Sequence, residues 1–287
     1  MDCTTYRYNS AKQKDFYFAL FSDLHADSPS FARKAFIADA DKYAALGARF
    51  LFNGDVFDAI LPTDRKRYTR ANDISCEDAQ INDRLENVFE LLSPYVDLID
   101  FIGIGNHEAS IVKYDHTDLV AFLTIKLNAI RDKKLPPIQR GGYQGFLCLR
   151  FSDNGKNNSR SYIIYREHGK GGAAPVTKGT INIQRLHTTY VADLYWLGHT
   201  HTDIVDKTPW TIYPDRNGNI IRKQKRSVIT AGYQGCFEQR DLKKDTDYYR
   251  ASFPEENFLI PSGQGSALLH IVHSNNHEKS LQAEITS

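Results

Sequence analysis

Phe16-Tyr17-Phe18-Ala19-Leu20-Phe21 runs directly into Ser22-Asp23-Leu24-His25. An apolar, aromatic run of strand length thus ends on a carboxylate and an imidazole. The event recurs four times. Arg49-Phe50-Leu51-Phe52 leads into Asn53-Gly54-Asp55-Val56-Phe57-Asp58, and residues 98–104 lead into Gly105-Asn106-His107-Glu108. Ser161-Tyr162-Ile163-Ile164-Tyr165 leads into Arg166-Glu167-His168-Gly169, and Leu194-Tyr195-Trp196-Leu197 into Gly198-His199-Thr200-His201. In α/β sheets ligands gather beyond the carboxyl ends of the strands, and each of these five runs carries its polar cluster there.

Helical patterns lie between the runs. Ser28-Pro29 predicts an N-cap with proline at the first helical position. Phe31, Ala35, Phe36, Ala40, Tyr43 and Ala44 then recur at helical spacing until Gly47. Ile81, Leu85, Val88, Phe89 and Leu92 mark a second helix that Pro94 ends; Leu119, Phe122, Leu123, Leu127 and Ile130 mark a third. The fold class is therefore α/β, with sheet buried under helices. Residues 1–287 read as a single domain. The stretch 203–261, with turns at Tyr213-Pro214-Asp215 and Asn217-Gly218-Asn219, is expected to be a loop- and hairpin-rich insertion rimming the site. Ala267-Leu268-Leu269-His270-Ile271-Val272 reads as a closing strand.

A chain of 287 residues buries enough apolar surface to fold without disulfides or structural metal, so a metal cluster is free to serve chemistry. The 36 Lys and Arg against 35 Asp and Glu leave a net charge of +1, which neither demands nor excludes nucleic acid. Cys3, Cys76, Cys148 and Cys236 are scattered and form no CxxC pair, the pattern of reduced thiols. The N-terminus has no signal-peptide layout, and no apolar run approaches the roughly 20 residues that cross a bilayer. The expectation is a soluble, cytoplasmic protein with no membrane partner.

In an extended segment residues i and i+2 share a face, so Asp23 with His25, and His199 with His201, can each reach one ion. Asp55 follows Gly54, whose missing side chain lets backbone approach a crowded centre, and its two oxygens can bridge two cations. Asn106 and His107 diverge, so one can coordinate metal while the other faces substrate. Asp23, His25, Asp55, Asn106, His168, His199 and His201 form the candidate ligand set. Mixed oxygen and nitrogen donors suit two divalent ions, manganese foremost, with iron, zinc or nickel as alternatives. Two carboxylates cancel only half the charge of such a pair, and the remaining positive charge favours an anionic phosphate.

In order, the motifs DLH, GDVFD, GNHE, HGKGG and GHTH resemble the signature of the calcineurin-like metallophosphoesterases, over residues 23 to 201. The resemblance implies a two-sheet β-sandwich flanked by helices. It also implies that Asp23, His25 and His201 hold one ion, that Asn106, His168 and His199 hold the other, and that Asp55 bridges them. His107 is similar to the family's catalytic histidine. Asp58 is the second catalytic candidate; it and Glu108 would orient His107 or the ligand imidazoles, unless they only cap loops. His116, His187, His270, His273 and His277 match no motif.

GDVFD followed by GNH is closest to the branch that holds bacterial double-strand-break repair nucleases. The expected function is a metal-dependent phosphodiesterase or nuclease acting on DNA, RNA or a nucleotide. The alternatives are a phosphomonoesterase or nucleotide pyrophosphatase, and a non-catalytic scaffold. Arg65-Lys66-Arg67 with Arg70, and the run 222–226, could contact a phosphate backbone or be solvated loops. Tyr233, Phe237, Tyr248 and Tyr249 could stack on bases. Lys170 and Arg226 are the substrate-binding candidates; the oligomeric state is not legible.

Overall fold

A computed structural model of the chain describes residues 1–11, 13–61, 80–152, 159–171, 177, 179–235, 263–273 and 281–287. In chain order the elements are β1 (Asp2–Asn9), β2 (Asp15–Phe21), α1 (Arg33–Ala45), β3 (Arg49–Phe52), α2 (Gln80–Leu92), β4 (Ile99–Ile102) and α3 (Asn106–Asp115). Then come α4 (Leu119–Ile130), β5 (Gln139–Arg140), β6 (Gln144–Ser152), β7 (Ser159–Glu167), α5 (Thr180–Thr189) and β8 (Leu194–Leu197). The chain ends with β9 (Ile204–Asp206), β10 (Trp210–Pro214), β11 (Ile220–Gln224), β12 (Arg226–Ile229), β13 (Ala267–His273) and β14 (Leu281–Thr286).

Twelve of these strands form two sheets, ordered β1-β6-β7-β8-β12-β9 and β14-β13-β2-β3-β4-β5. Strands β2 to β5 run parallel, as do β7, β8 and β12. Two-residue periodicity sorts the side chains. Phe16, Phe18 and Leu20 of β2 point into the layer between the sheets, where they meet Leu147, Leu149, Ile164 and Trp196 of the other sheet. Ala19 and Phe21 point outward, against Phe36, Tyr43, Val88, Leu123 and Leu127 of the covering helices. On the far side Tyr165, Tyr195 and Leu197 pack against Ile183 and Leu186 of α5. The order is helix, sheet, sheet, helix, an α/β two-sheet sandwich flanked by helices. Among the described residues no helix is long and apolar enough to cross a membrane.

Three local expectations are corrected. The first helix begins at Arg33, not after Ser28-Pro29. Before it, Ser30 and Ala32 bond to the 233–235 loop, through Gly235 N to Ser30 O at 2.6 Å and Ala32 N to Tyr233 O at 2.8 Å, which holds the chain non-helical. The stretch 203–261 is not wholly an insertion: β9 and β12 are sheet strands, and the burial of Val228 and Ile229 explains why. The β10–β11 hairpin does not rim the site. It leaves β12 near Arg226, which pairs with Leu194 at the start of β8, whereas the predicted ligands follow the end of β8. The segments 62–79 and 236–262, with Arg65, Lys66, Arg67, Arg70, Cys76, Cys236, Phe237, Tyr248 and Tyr249, lie outside the described residues. Cys3 and Cys148 are free thiols, 3.9 Å apart.

Phe18 is fully buried between the sheets. Phe18→Ala is expected to cost about 3–5 kcal/mol in urea unfolding, the usual cost of removing a core phenylalanine.

Candidate metal centre

The loops after β2 and β3 run side by side: Asp23 N donates to Gly54 O at 3.1 Å, His25 N to Asp55 O at 3.0 Å and Ala26 N to Val56 O at 2.9 Å. Asn53 ties this sheet to the other one through Nδ2 to Glu167 O at 2.9 Å. Its carbonyl accepts from His168 Nδ1 at 2.8 Å. Across the gap, His199 N donates to both Asp23 carboxylate oxygens, at 3.0 and 2.9 Å. Both sheets thus deliver their carboxyl ends to one pocket.

Five of the seven predicted ligands reach it with left-handed backbones: Asp23, His25, Asp55, His199 and His201, at φ of 53°, 48°, 48°, 67° and 49°. Each such non-glycine residue costs about 1–2 kcal/mol, and Asp and His are among the types that tolerate it best. The expectation that each pair shares a face because its segment is extended is therefore corrected. Left-handed kinks turn these side chains inward. Gly54, at φ +88°, and Gly105 allow the close crossing behind Asp55: a Cβ on Gly54 would strike the Gly105 amide, and a Cβ on Gly105 would strike the Asp55 carboxylate.

The donor atoms fall into groups. Asp23, His25 and His201 present ligand atoms within 4.8 Å of one another, and so do Asp55, His168 and His199. Asn106 Oδ1 joins the second group, 3.1 Å from His168 Nε2 and 2.7 Å from His199 Nδ1. Asp55 reaches both, its Oδ2 lying 3.0 Å from His168 Nε2 and 3.8 Å from His25 Nε2. Metal–ligand bonds of about 2.0–2.2 Å place neighbouring ligands about 3.0–3.5 Å apart, so these spacings fit cations. The tautomers agree. His168 Nδ1 meets a carbonyl and must donate, which turns the Nε2 lone pair towards Asp55 and Asn106 oxygens. His25 donates from Nδ1 to Asp58 Oδ1 at 3.1 Å, and its Nε2 is buried without a hydrogen-bond partner. Buried acceptors facing acceptors are costly unless a cation or proton lies between them.

Protonation follows the same demand. Burial pulls the pKa of His25 down, but the hydrogen bond to Asp58 and the charges of Asp55, Asp58 and Asp23 outweigh it and raise the value to about 9. In His168 burial is likewise overcome by Asp55 and Asp23, to about 10. Burial lowers His201 to about 4 and also lowers His199. Against the effect of burial, His168, His107 and His25 hold Asp55 well below the usual carboxylate range.

His107 opens α3 and lies over the centre. Its backbone N–H donates to Asp55 Oδ1 at 2.9 Å, and its Nδ1 donates to the Asp58 carbonyl at 2.5 Å. The Asp58 carboxylate is 3.4 Å from Nδ1, and the ring remains 14% exposed. His107 lies close enough to His25 and Asp55 to form a third group with them. Asp58 touches both imidazoles, so its place is that of a positioning residue. Glu108 caps loops instead: its carboxylate accepts from Gly105 N at 2.8 Å, Asp55 N at 3.1 Å and Phe57 N at 3.0 Å. Burial and the charge of Asp55 raise its pKa to about 7, against the pull of these amides.

Two residues that sequence reasoning missed support Asp58. The buried Asp27 accepts from Asp58 N at 2.6 Å and Ala59 N at 3.0 Å, and pairs with the buried Arg84 of α2 at 2.5 Å. The one available signal was a second aspartate closely following DLH. Lys170 is exposed, two residues beyond His168. Arg226 is not brought to the centre; it opens β12 at the opposite end. Tyr233 is corrected as a stacking residue, because it is fully buried with its hydroxyl on Asp39 at 2.7 Å.

No family model matches the chain, and no curated protein matches it. Solved structures do resemble it. GAP50 of Plasmodium, described as the anchor in the inner membrane complex, aligns at 10% identity over 96% of this chain and 85% of its own, with a TM-score of 0.43. A predicted phosphoesterase from Streptococcus pneumoniae aligns at 10% identity over 95% and 90%, with a TM-score of 0.32. A metallophosphoesterase from Sphaerobacter thermophilus aligns at 11% over 95% and 89%, also at 0.32. Likeness at this level assigns no activity, so function rests on the donor geometry.

At pH 7.5 the metal-free centre carries protons on His25 and His168, whose values of about 9 and 10 lie above that pH. Ligation must expel them. Calorimetric titration with Mn²⁺ in buffers of different ionisation enthalpy is expected to show release of about two protons per chain, falling as the pH passes both values. Release near zero at pH 7.5 would contradict the ligand roles of these two histidines.

Proposed function

We propose that this chain is a metal-dependent phosphoesterase that hydrolyses phosphodiesters, with nucleic acid or a nucleotide as its substrate class. The observation that carries the reading is His107: a partly exposed imidazole, fixed through Nδ1 by the Asp58 carbonyl, lying against a cluster of buried ligand atoms. Asp23, His25 and His201 would hold one divalent ion, Asn106, His168 and His199 the other, with Asp55 shared. Such a pair supplies Lewis acidity to the phosphoryl oxygens and acidifies water.

The chain's own residues do the rest. With Nδ1–H committed to the Asp58 carbonyl, Nε2 of His107 is the atom that can hold a proton for a departing alkoxide. The Asp58 carboxylate lies 3.4 Å from the His107 ring and, through His25 at 3.1 Å, holds a metal ligand in register. Asp27 and Arg84 keep the 58–60 loop in place beneath both. His168 and His25 are buried while His107 is not wholly so, which supports a division between gripping ions and meeting substrate. An alkoxide is a poor leaving group, and a positioned acid supports cleavage of alkyl phosphate esters such as those of nucleic acid.

The test uses purified protein with Mn²⁺ and three substrates: bis-p-nitrophenyl phosphate, p-nitrophenyl phosphate and a labelled single-stranded oligonucleotide. Hydrolysis of the first and third is expected. Turnover of the monoester alone would overturn the diester reading, and inactivity with Mn²⁺, Fe²⁺, Zn²⁺ and Ni²⁺ alike would favour a non-catalytic scaffold. His107→Ala is expected to retain its metal by elemental analysis while kcat on the oligonucleotide, whose leaving group is an alkoxide, falls by about 10²–10⁴, the usual worth of a general acid. Loss of metal along with activity would make His107 a ligand instead.

A further inference from the structure

The β10–β11 hairpin stands apart from both sheets and takes no part in the metal centre. Its register pairs Trp210 with Gln224, Ile212 with Arg222 and Pro214 with Ile220, so these six residues share one face. On that face Trp210, Ile212 and Ile220 are 57%, 62% and 64% exposed. Thr211, Tyr213, Ile221 and Lys223 form the opposite face, whose Lys223 is tied to the body by an ion pair to Asp193 at 2.6 Å, while Tyr213 near the turn is exposed. The root is braced by Gln224 Nε2 to Lys207 O at 2.6 Å and Lys225 N to Pro209 O at 2.9 Å. A held hairpin thus presents an apolar face to water.

The charge around that face is mostly positive. Between residues 207 and 226 the chain carries six lysines and arginines and a single acid, Asp215. The Asp215 carboxylate is occupied within its own turn, accepting from Asn217 N and Asn219 N, each at 2.8 Å. Lys207, Arg216 and Arg222 are exposed beside the apolar residues.

We propose that this face docks on an anionic lipid bilayer. Tryptophan favours the depth of the headgroups, aliphatic side chains enter the acyl boundary, and arginine and lysine meet anionic headgroups. Nucleic acid would use the cations and the indole but leave Ile212 and Ile220 in water, because a phosphate backbone offers nothing to an aliphatic side chain. Docking would leave the centre uncovered: the hairpin roots beside Leu194, and the ligands follow Leu197, about 10 Å further along the strand. One short hairpin gives weak, reversible attachment. The expectation of no membrane partner is replaced by this proposal.

The chain itself supplies the probe. Of its two tryptophans, Trp196 is buried between the sheets and Trp210 is exposed, so a fluorescence change on adding vesicles belongs to Trp210. Full-length protein is titrated with vesicles of phosphatidylcholine and phosphatidylserine at 7:3, and with phosphatidylcholine alone, following emission and co-sedimentation. A blue shift and sedimentation with the anionic vesicles are expected, both weakened by 0.5 M NaCl. The double variant Ile212→Asp/Ile220→Asp is expected to bind at least tenfold more weakly while keeping the wild-type thermal midpoint. Three results would overturn the proposal. They are no binding by the wild type, equal binding by the variant, and hairpin-dependent binding of an oligonucleotide or of a second copy without any binding to vesicles.

Discussion

Lone pairs that face one another in a largely buried pocket set the terms for the rest of this molecule. Nε2 of His168 lies 3.0 Å from a carboxylate oxygen of Asp55 and 3.1 Å from the amide oxygen of Asn106. Nε2 of His25 is buried with nothing to bond. Such an arrangement is repulsive unless positive charge occupies its middle. Protons can supply that charge, and the raised values of His25 and His168 record the pull. Divalent cations supply more of it, in the spacing the donors already have. The fold keeps these groups together against their own repulsion.

Two sheets are needed for this. Asp23, Asp55 and Asn106 come from the ends of β2, β3 and β4 in one sheet; His168, His199 and His201 come from the ends of β7 and β8 in the other. Asn53 crosses between them, donating to Glu167 O and accepting from His168. The aromatic layer of Phe16, Phe18, Phe101 and Trp196 sets the sheets at packing distance. The left-handed ligands add strain of the kind that accumulates at functional sites and persists where surrounding bonds over-determine it. Glu108, Asp27 and Arg84 supply several of those bonds. Their charge is spent on backbone amides and on one another, and their effect is to keep Asp55 and Asp58 where they are.

The main architecture was legible because strand runs and helix faces bury at fixed periods. Each of the five runs that end on polar clusters is a strand, and the helices carried by Ile81–Leu92 and Leu119–Ile130 are present. The structure brings all seven residues read as candidate ligands into one pocket. The extended geometry expected for the two pairs, Asp23 with His25 and His199 with His201, is not what the structure has. Extended alternation would place Asp23 and His25 on one face, but the chain kinks at both residues, which a two-residue pattern cannot reveal. The first helix was misplaced because bonds from Ser30 and Ala32 to a loop two hundred residues away override a good capping dipeptide. Arg226 and Tyr233 were misjudged for a related reason: basic and aromatic residues carry no mark of which strand end, or which side of a helix, they will occupy. The partnership of Asp27 and Arg84 is made only in three dimensions, between residues far apart in the chain, and has no sequence pattern.

The most direct measurement is anomalous scattering from a crystal grown with excess manganese. The account predicts two peaks between the sheet ends, one bounded by Asp23, His25 and His201, the other by Asn106, His168 and His199, with Asp55 touching both. A single peak, peaks held by other residues, or none at this pocket would contradict it.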